Sequence, residues 1–166
     1  MRSLRSDNHL ENMIIKNNFT KIYIEKDNLT IRRITSRDRD TFSDYTSIDH
    51  FEEALNSSNT LGIFIQNEMV GAIVSYSDVK SKKIFSEEGS GTVLGYSCRK
   101  DKRNRGIMSA SISLLSDHLL EELDHVYLEI RRDNLPSIHV AYNAGFEKYD
   151  EDEEMLYFIR RRTKAA

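Results

Sequence analysis

Apolar and polar positions begin to alternate legibly at Phe19. Residues 19–25 (FTKIYIE) set Phe19, Lys21, Tyr23 and Glu25 on one side and Thr20, Ile22 and Ile24 on the other. LTIRRI (29–34) follows an Asp27-Asn28 turn signal, and both segments predict strands. Ser36 is placed to cap a short polar helix over 37–46, and Asp49 or Ser47 a second over 49–56. TLGIFIQ (60–66) and MVGAIVSYS (69–77) are rich in β-branched and aromatic residues; with Asn67-Glu68 between them they predict a tight hairpin. Residues 78–90 are polar and glycine-bearing, a loop, and GTVLGYSC (91–98) predicts another strand.

The longest helical pattern runs over 105–123, where Ile107, Ala110/Ser111, Leu114/Leu115, His118/Leu119 and Glu122/Leu123 recur at three- and four-residue spacing. VYLEIRR (126–132) predicts a strand. A short helix over 135–144 has Asn134 as its N-cap, Pro136 in its first turn and Gly145 at its left-handed C′ position. FEKYD (146–150) and MLYFIRR (155–161) predict a closing hairpin around an acidic turn. The first 18 residues are polar and weakly periodic, a lead-in to one domain over 19–162 with a tail at 163–166. The order predicts a mixed α/β fold with a βαβ unit near its centre.

Composition narrows the function classes. With 166 residues, 39% of them hydrophobic and 31% charged, the chain is an ordinary globular protein with room for one core. Its net charge of −3 argues against a general nucleic-acid binder. The single cysteine, Cys98, cannot form an internal disulfide, which fits a reducing compartment. There is no apolar run near the roughly 18 residues of a membrane span. The N-terminal residues also lack the apolar core of a secretory signal, so a cytoplasmic protein is expected. The five histidines show no ligand spacing, and no metal is expected.

Chemistry concentrates in GYSCRKDKRNRGIMSASISLL (95–115), where a strand runs through a basic, glycine-bearing turn into the long helix. A helix start leaves backbone N–H groups without intrahelical partners, and its dipole adds partial positive charge; such an end binds phosphate. Gly106 lets a ligand approach the backbone, and Arg99, Lys100, Lys102, Arg103 and Arg105 surround it with charge. The turn is neither a Walker A sequence nor a GxGxxG fingerprint. On composition alone a solvated basic loop fits it equally well.

RNRGIM (103–108) resembles the acetyl-CoA signature of GNAT-superfamily N-acetyltransferases, (Arg/Gln)-x-x-Gly-x-(Gly/Ala); Arg103 and Gly106 match and Met108 departs. NLPSIHVAYNAGF (134–146) resembles the family's second motif through Asn134, Ser137, Gly145 and Phe146. The LGY before the turn and the GIM at the helix start are similar to the RimJ/RimL-like branch, the ribosomal-protein N-terminal acetyltransferases and their relatives. The resemblance implies a GNAT-like fold, with a central mixed β-sheet of about six to seven strands flanked by about four helices.

It also implies that acetyl-CoA is the acyl donor and that a primary amine attacks directly in a ternary complex. The acceptor would be a protein or peptide N-terminus or a small-molecule amine. The resemblance sets Tyr96, Ser97 and Cys98 along the pantetheine arm. Backbone N–H groups of Arg103, Asn104, Arg105, Gly106, Ile107, Met108 and Ser109 fall on the pyrophosphate; Asn134 contacts the pantetheine or caps its helix, and Ser137 lies one turn on, towards the thioester. Many members carry an acidic tyrosine seven residues after the motif asparagine; here that position is Ala141. In RimL-like enzymes the acid role goes with a serine at the position matching Ser137, so the resemblance implies Ser137 as the first candidate for the acid, with Tyr142 the second. Glu129 is a candidate base, with Glu87 and Glu88 behind it. Homodimers are common in the family, so a homodimer is expected by resemblance.

Other readings stay open at this level. Without the usual tyrosine or a clear base, the chain could be a non-catalytic acyl-CoA-binding module. Tyr45, Tyr76 and Tyr96 could line an acceptor site or simply fill strands, and Cys98 suits a small apolar filler.

Overall fold

The computed structural model describes residues 18–45, 50–76, 84 and 87–163, the side chains of residues 43–45 excepted. Eight strands form one mixed sheet in the order β1-β2-β3-β4-β5-β6-β8-β7: β1 (Ile24–Lys26), β2 (Leu29–Arg32), β3 (Thr60–Ile65), β4 (Glu68–Tyr76), β5 (Gly91–Cys98), β6 (His125–Arg131), β7 (Glu147–Glu151) and β8 (Met155–Arg161). Among the described residues four full helices accompany it: α1 (Arg39–Tyr45), α2 (Phe51–Asn56), α3 (Ile107–Leu119) and α4 (Leu135–Asn143). β5 and β6, joined through α3, are parallel, and the other neighbours are antiparallel. The expected βαβ unit is present, and eight strands replace the expected six to seven. The lead-in before residue 18 and the tail beyond 163 lie outside the described residues.

The first strand of the pattern is present as β1, which brings the sheet to eight, but it is shorter than the alternation over 19–25 predicts. Residues 18–22 turn instead: Lys21 N–H donates to the Asn18 carbonyl (3.0 Å) and Ile22 N–H to that of Phe19 (3.2 Å). The turn lets Phe19 bury fully while Ile22 and Ile24 also pack on the main core. Three apolar contacts on one core outweigh local strand propensity.

Several boundaries move for local reasons. The β3–β4 turn is Gln66-Asn67, one residue before the expected pair; both have positive φ (50° and 67°), as a two-residue turn matched to strand twist requires. The cap before α1 falls on Thr35 rather than Ser36. Its N–H donates to the Asp38 carboxylate (2.7 Å), and Arg32 donates two further bonds to the same group (2.8 Å each). The expected caps of α2, Ser47 and Asp49, lie outside the described residues. α3 begins only at Ile107 because Asn104 (φ 63°) and Gly106 (φ 75°) are left-handed, and it ends at Leu119 rather than near 123. α4 closes as its sequence predicts: Phe146 N–H donates to the Ala141 carbonyl (3.0 Å) and Gly145 N–H to that of Tyr142 (3.1 Å), with Gly145 at φ 85°.

The main core lies between the sheet and α3 and α4, built on Ile73, Leu94, Ile112, Leu115, Leu128 and Phe158. Two smaller clusters cover the opposite face. One packs Phe42 of α1 and Phe51 of α2 on Phe64 and Met69; the other joins Val93, Tyr127, Tyr157 and Ile159. Among the described residues no helix is long and apolar enough to cross a membrane.

Candidate active site

The central seam of the sheet is closed at one end and open at the other. β5 pairs β4 along its length, from Tyr76↔Val93 to Gly71↔Cys98. Its parallel pairing with β6 covers only Gly91–Val93 against His125–Tyr127. β6 continues alongside β8 as far as Arg131↔Met155. Residues 94–98 therefore part from residues 128–131 and leave a wedge in the sheet. Beyond Val93 the backbone of β5 on that side has no β6 ladder partner.

Register assigns the faces of the wedge. Leu94, Tyr96 and Cys98 share the α3/α4 face with Val126, Leu128 and Ile130. Val93, Gly95 and Ser97 lie on the other face, as do Tyr76, Tyr127 and Glu129. The sequence-predicted residues thus divide between the two sides, with the wedge as the passage between them.

On the first side, β5 leads into the basic turn. Arg99 N–H donates to the Val70 carbonyl (2.7 Å), and its largely buried guanidinium is held by Asp101 (2.6 Å) and Glu68 (2.7 Å). Arg99 is therefore a structural anchor and leaves the set of charges surrounding the helix start. Arg103 donates from Nε to the Cys98 carbonyl (3.1 Å), folding the turn back on the strand end. Lys100, Arg103, Asn104, Arg105 and Gly106 are exposed.

Gly106 is the N-cap of α3, and a Cβ built there would meet nothing within 4 Å. The glycine thus satisfies a left-handed backbone beside open space. Among the described residues no side chain caps the first turn, and no acidic residue lies in it. Met108 is only 8% exposed and packs into the main core with Ile107. The departure from Gly/Ala at 108 therefore leaves the outward surface unchanged: the side chain turns inward and the helix start presents backbone N–H groups. Cys98, packed against the main core, has its thiol pushed up by burial, which suits a filler.

Across the wedge stands the first turn of α4. Asn134 Oδ1 accepts from Ser137 N–H (3.4 Å), and Tyr96 O–H donates to the Ser137 carbonyl (3.3 Å). Burial drives the Tyr96 phenol up to about 12, so it remains a donor at neutral pH. Among the described residues the Ser137 hydroxyl has no hydrogen-bond partner. Tyr142 is not brought to the wedge. It is 55% exposed, and its ring meets Phe158 of β8 edge-on at 5.4 Å, on the far side of β6 from β5.

On the second side, Glu129 follows the last β5–β6 pair by two residues. Glu129 is exposed, yet partial desolvation, and secondarily Asp152, raises its carboxyl pKa, and it has no ion-pair partner among the described residues. Glu87 is engaged elsewhere. It binds Arg161, and the His125 Nε2 (3.0 Å) at the closed end of the seam, where Arg161 draws its carboxyl below the usual range. Glu88 is exposed. The Tyr45 side chain lies outside the described residues. Sequence reading passed over Gly95, where an added Cβ would lie 2.9 Å from the Tyr76 ring. A lone glycine in a strand signals such close approach. The Tyr96–Ser137 link joins residues 41 apart, beyond any local signal. Among the described residues no group of His, Cys, Asp or Glu could hold a metal.

Solved structures share this fold. A GNAT-family acetyltransferase from Bacillus anthracis matches over 85% of this chain and 99% of its own at 16% identity (TM-score 0.68). A ribosomal-protein-S5-alanine acetyltransferase from Vibrio fischeri matches over 85% and 97% at 14% identity (TM-score 0.63). RimL, a ribosomal L7/L12 α-N-protein acetyltransferase in complex with coenzyme A, matches over 84% and 98% at 17% identity (TM-score 0.66). No curated protein matches the chain in sequence. The sequence model of the acetyltransferase (GNAT) family, however, matches residues 19–146, most of the chain and both sides of the wedge, and to that family the protein belongs.

Proposed function

We propose that the protein is an N-acetyltransferase that moves acetyl from acetyl-CoA to a primary amine, with residues 19–162 as one catalytic domain. The observation that carries this reading is the convergence of an uncapped helix start with an open wedge. The first suits a pyrophosphate, and the second suits an extended arm needing backbone partners. N–H groups from Arg103 to Ser109 bind the pyrophosphate, with Arg103 and Arg105 adding charge. Tyr96, Ser97 and Cys98 flank the pantetheine arm, and Asn134 fixes the turn carrying Ser137. The amine nitrogen attacks the thioester carbonyl and the C–S bond breaks. The departing sulfur takes a proton from the Ser137 hydroxyl, while the amine loses one towards Glu129, directly or through water. Tyr142, pointing away, ranks second as acid.

Amines carried by peptide N-termini are the first acceptors to test, given the fold shared with RimL and the S5-alanine enzyme. The reading carries a cytoplasmic location and a homodimer, the latter measurable by light scattering. Its test is calorimetric titration with acetyl-CoA together with thiol release in the presence of peptides beginning with Ala or Ser. Binding with amine-dependent thiol release is expected. Tight binding without release from any acceptor would instead identify a cofactor-binding module.

A further inference from the structure

The pairing that closes β5 against β6 stops at Val93 and Tyr127, yet the wedge beyond is not spanned by apolar packing alone. Tyr96 lies three residues past the last pair, on the α3/α4 face, with its ring against the main core. Its hydroxyl donates to the carbonyl of Ser137 (3.3 Å), tying the free half of β5 to the first turn of α4. The N–H of Ser137 is held by Asn134 Oδ1 (3.4 Å). Both peptide groups flanking this residue are thus fixed, one within α4 and the other from the strand opposite. The hydroxyl of Ser137 is left unengaged among the described residues.

We propose that Tyr96 is a positioning residue that fastens the Ser137 turn to β5 across the wedge. It sets the distance between the strand end that receives the thioester and the hydroxyl that protonates the departing sulfur. This rests on the acetyltransferase reading above and assigns Tyr96 a role beyond contact with the donor. A carbonyl oxygen has two lone pairs, so Ser137 can accept from Tyr96 without giving up its helical bond. With the hydroxyl lost, the ring still fills its place in the core, but α4's first turn is held from one side only. A reaction requires its groups within a few tenths of an ångström of productive geometry, so such loosening acts on turnover before it acts on binding.

The experiment compares wild type, Tyr96→Phe, Ser137→Ala and the double variant in thiol release from acetyl-CoA with Ala- and Ser-starting peptides. Acetyl-CoA binding is measured by calorimetry. Tyr96→Phe is expected to lower kcat about tenfold and to change the acetyl-CoA Kd less than about twofold, the separation expected when only transition-state interactions are lost. On the Ser137→Ala background it should cost less than about twofold, because what it positions is gone. Amide exchange over residues 137–141 should quicken in Tyr96→Phe while the melting temperature holds. Equal losses in both backgrounds, or unchanged exchange, overturn the proposal. A loss carried by Kd makes Tyr96 a donor contact instead. Full activity in Ser137→Ala with a slow Tyr96→Phe also overturns it, leaving the acetyltransferase reading intact. A wild type that fails to bind acetyl-CoA, or binds it without turnover, ends both.

Discussion

The two ends of the β5–β6 seam are made from the same two strands and differ in almost everything that holds them. At the closed end three residue pairs are backed by polar contacts: Ser90 N–H donates to Asp124 (3.0 Å), and His125 meets Glu87 (3.0 Å), which also holds Arg161. At the open end the Tyr96 hydroxyl reaches across the wedge to the Ser137 carbonyl (3.3 Å). The contrast shows how a sheet can offer backbone groups to a ligand without coming apart. Cohesion is concentrated where the strands meet, and the divergence is fixed by where the pairing stops.

The largest effect should come from breaking the open end at the helix start proposed to hold the pyrophosphate. Gly106→Asp sets a carboxylate at the helix start and an L-residue at φ 75°. Acetyl-CoA affinity should fall at least about a hundredfold, the scale of losing two hydrogen bonds to charged groups. The folded signal in circular dichroism should persist; retained affinity would show that the donor lies elsewhere. Next, Ser137→Ala should lower kcat by about a hundredfold, the lower range for a general acid, while Tyr142→Phe leaves it within about twofold. The reverse order in thiol release would make Tyr142 the acid.

A smaller change sharpens the second side of the wedge. Glu129 accepts a proton only when ionised, so kcat/KM should be full above its raised pKa and fall as pH drops through it. The acidic limb should lie above the ordinary glutamate range. Glu129→Gln should abolish that limb, and an unchanged pH profile would remove Glu129 from the reaction. The smallest effect belongs to the closed end. Asp124→Ala removes the acceptor of the Ser90 N–H, at a cost of about 1–2 kcal/mol. That corresponds to about 2–8 °C in melting temperature for a chain of this size. Donor affinity at 25 °C should stay within about twofold. Loss of affinity without loss of stability would mean that the closed end does not act as the clamp.

What was legible in the sequence followed the range of the forces involved. α4 was readable to within a residue because Asn134, Pro136 and Gly145 act on neighbours within one turn. The turn before α3 was readable for the same reason, since Gly106 and the charges around it are local. Phe19–Tyr23 departs from the strand its alternation predicts because its conformation is settled by a core assembled from β2, β3 and α3. Arg99 and Arg103 were indistinguishable as letters. Glu68, 31 positions earlier, anchors the first, and the end of its own strand engages the second. Glu129 already ranks ahead of Glu87 in the sequence, but only the ion pairs with His125 and Arg161 show that Glu87 belongs to the closed end.

The inward-turned side chains of Ile107 and Met108 bear on how this corner can change over generations. A site made of main-chain groups has few letters of its own to lose. Substitutions at 107 and 108 are screened by the core, which rejects polar or ill-fitting residues whatever the ligand. Gly106 is held differently, because it combines a left-handed backbone with empty space in front. Drift in the motif's last position is therefore permissible wherever the core can accept a larger apolar residue, and loss of the glycine is not.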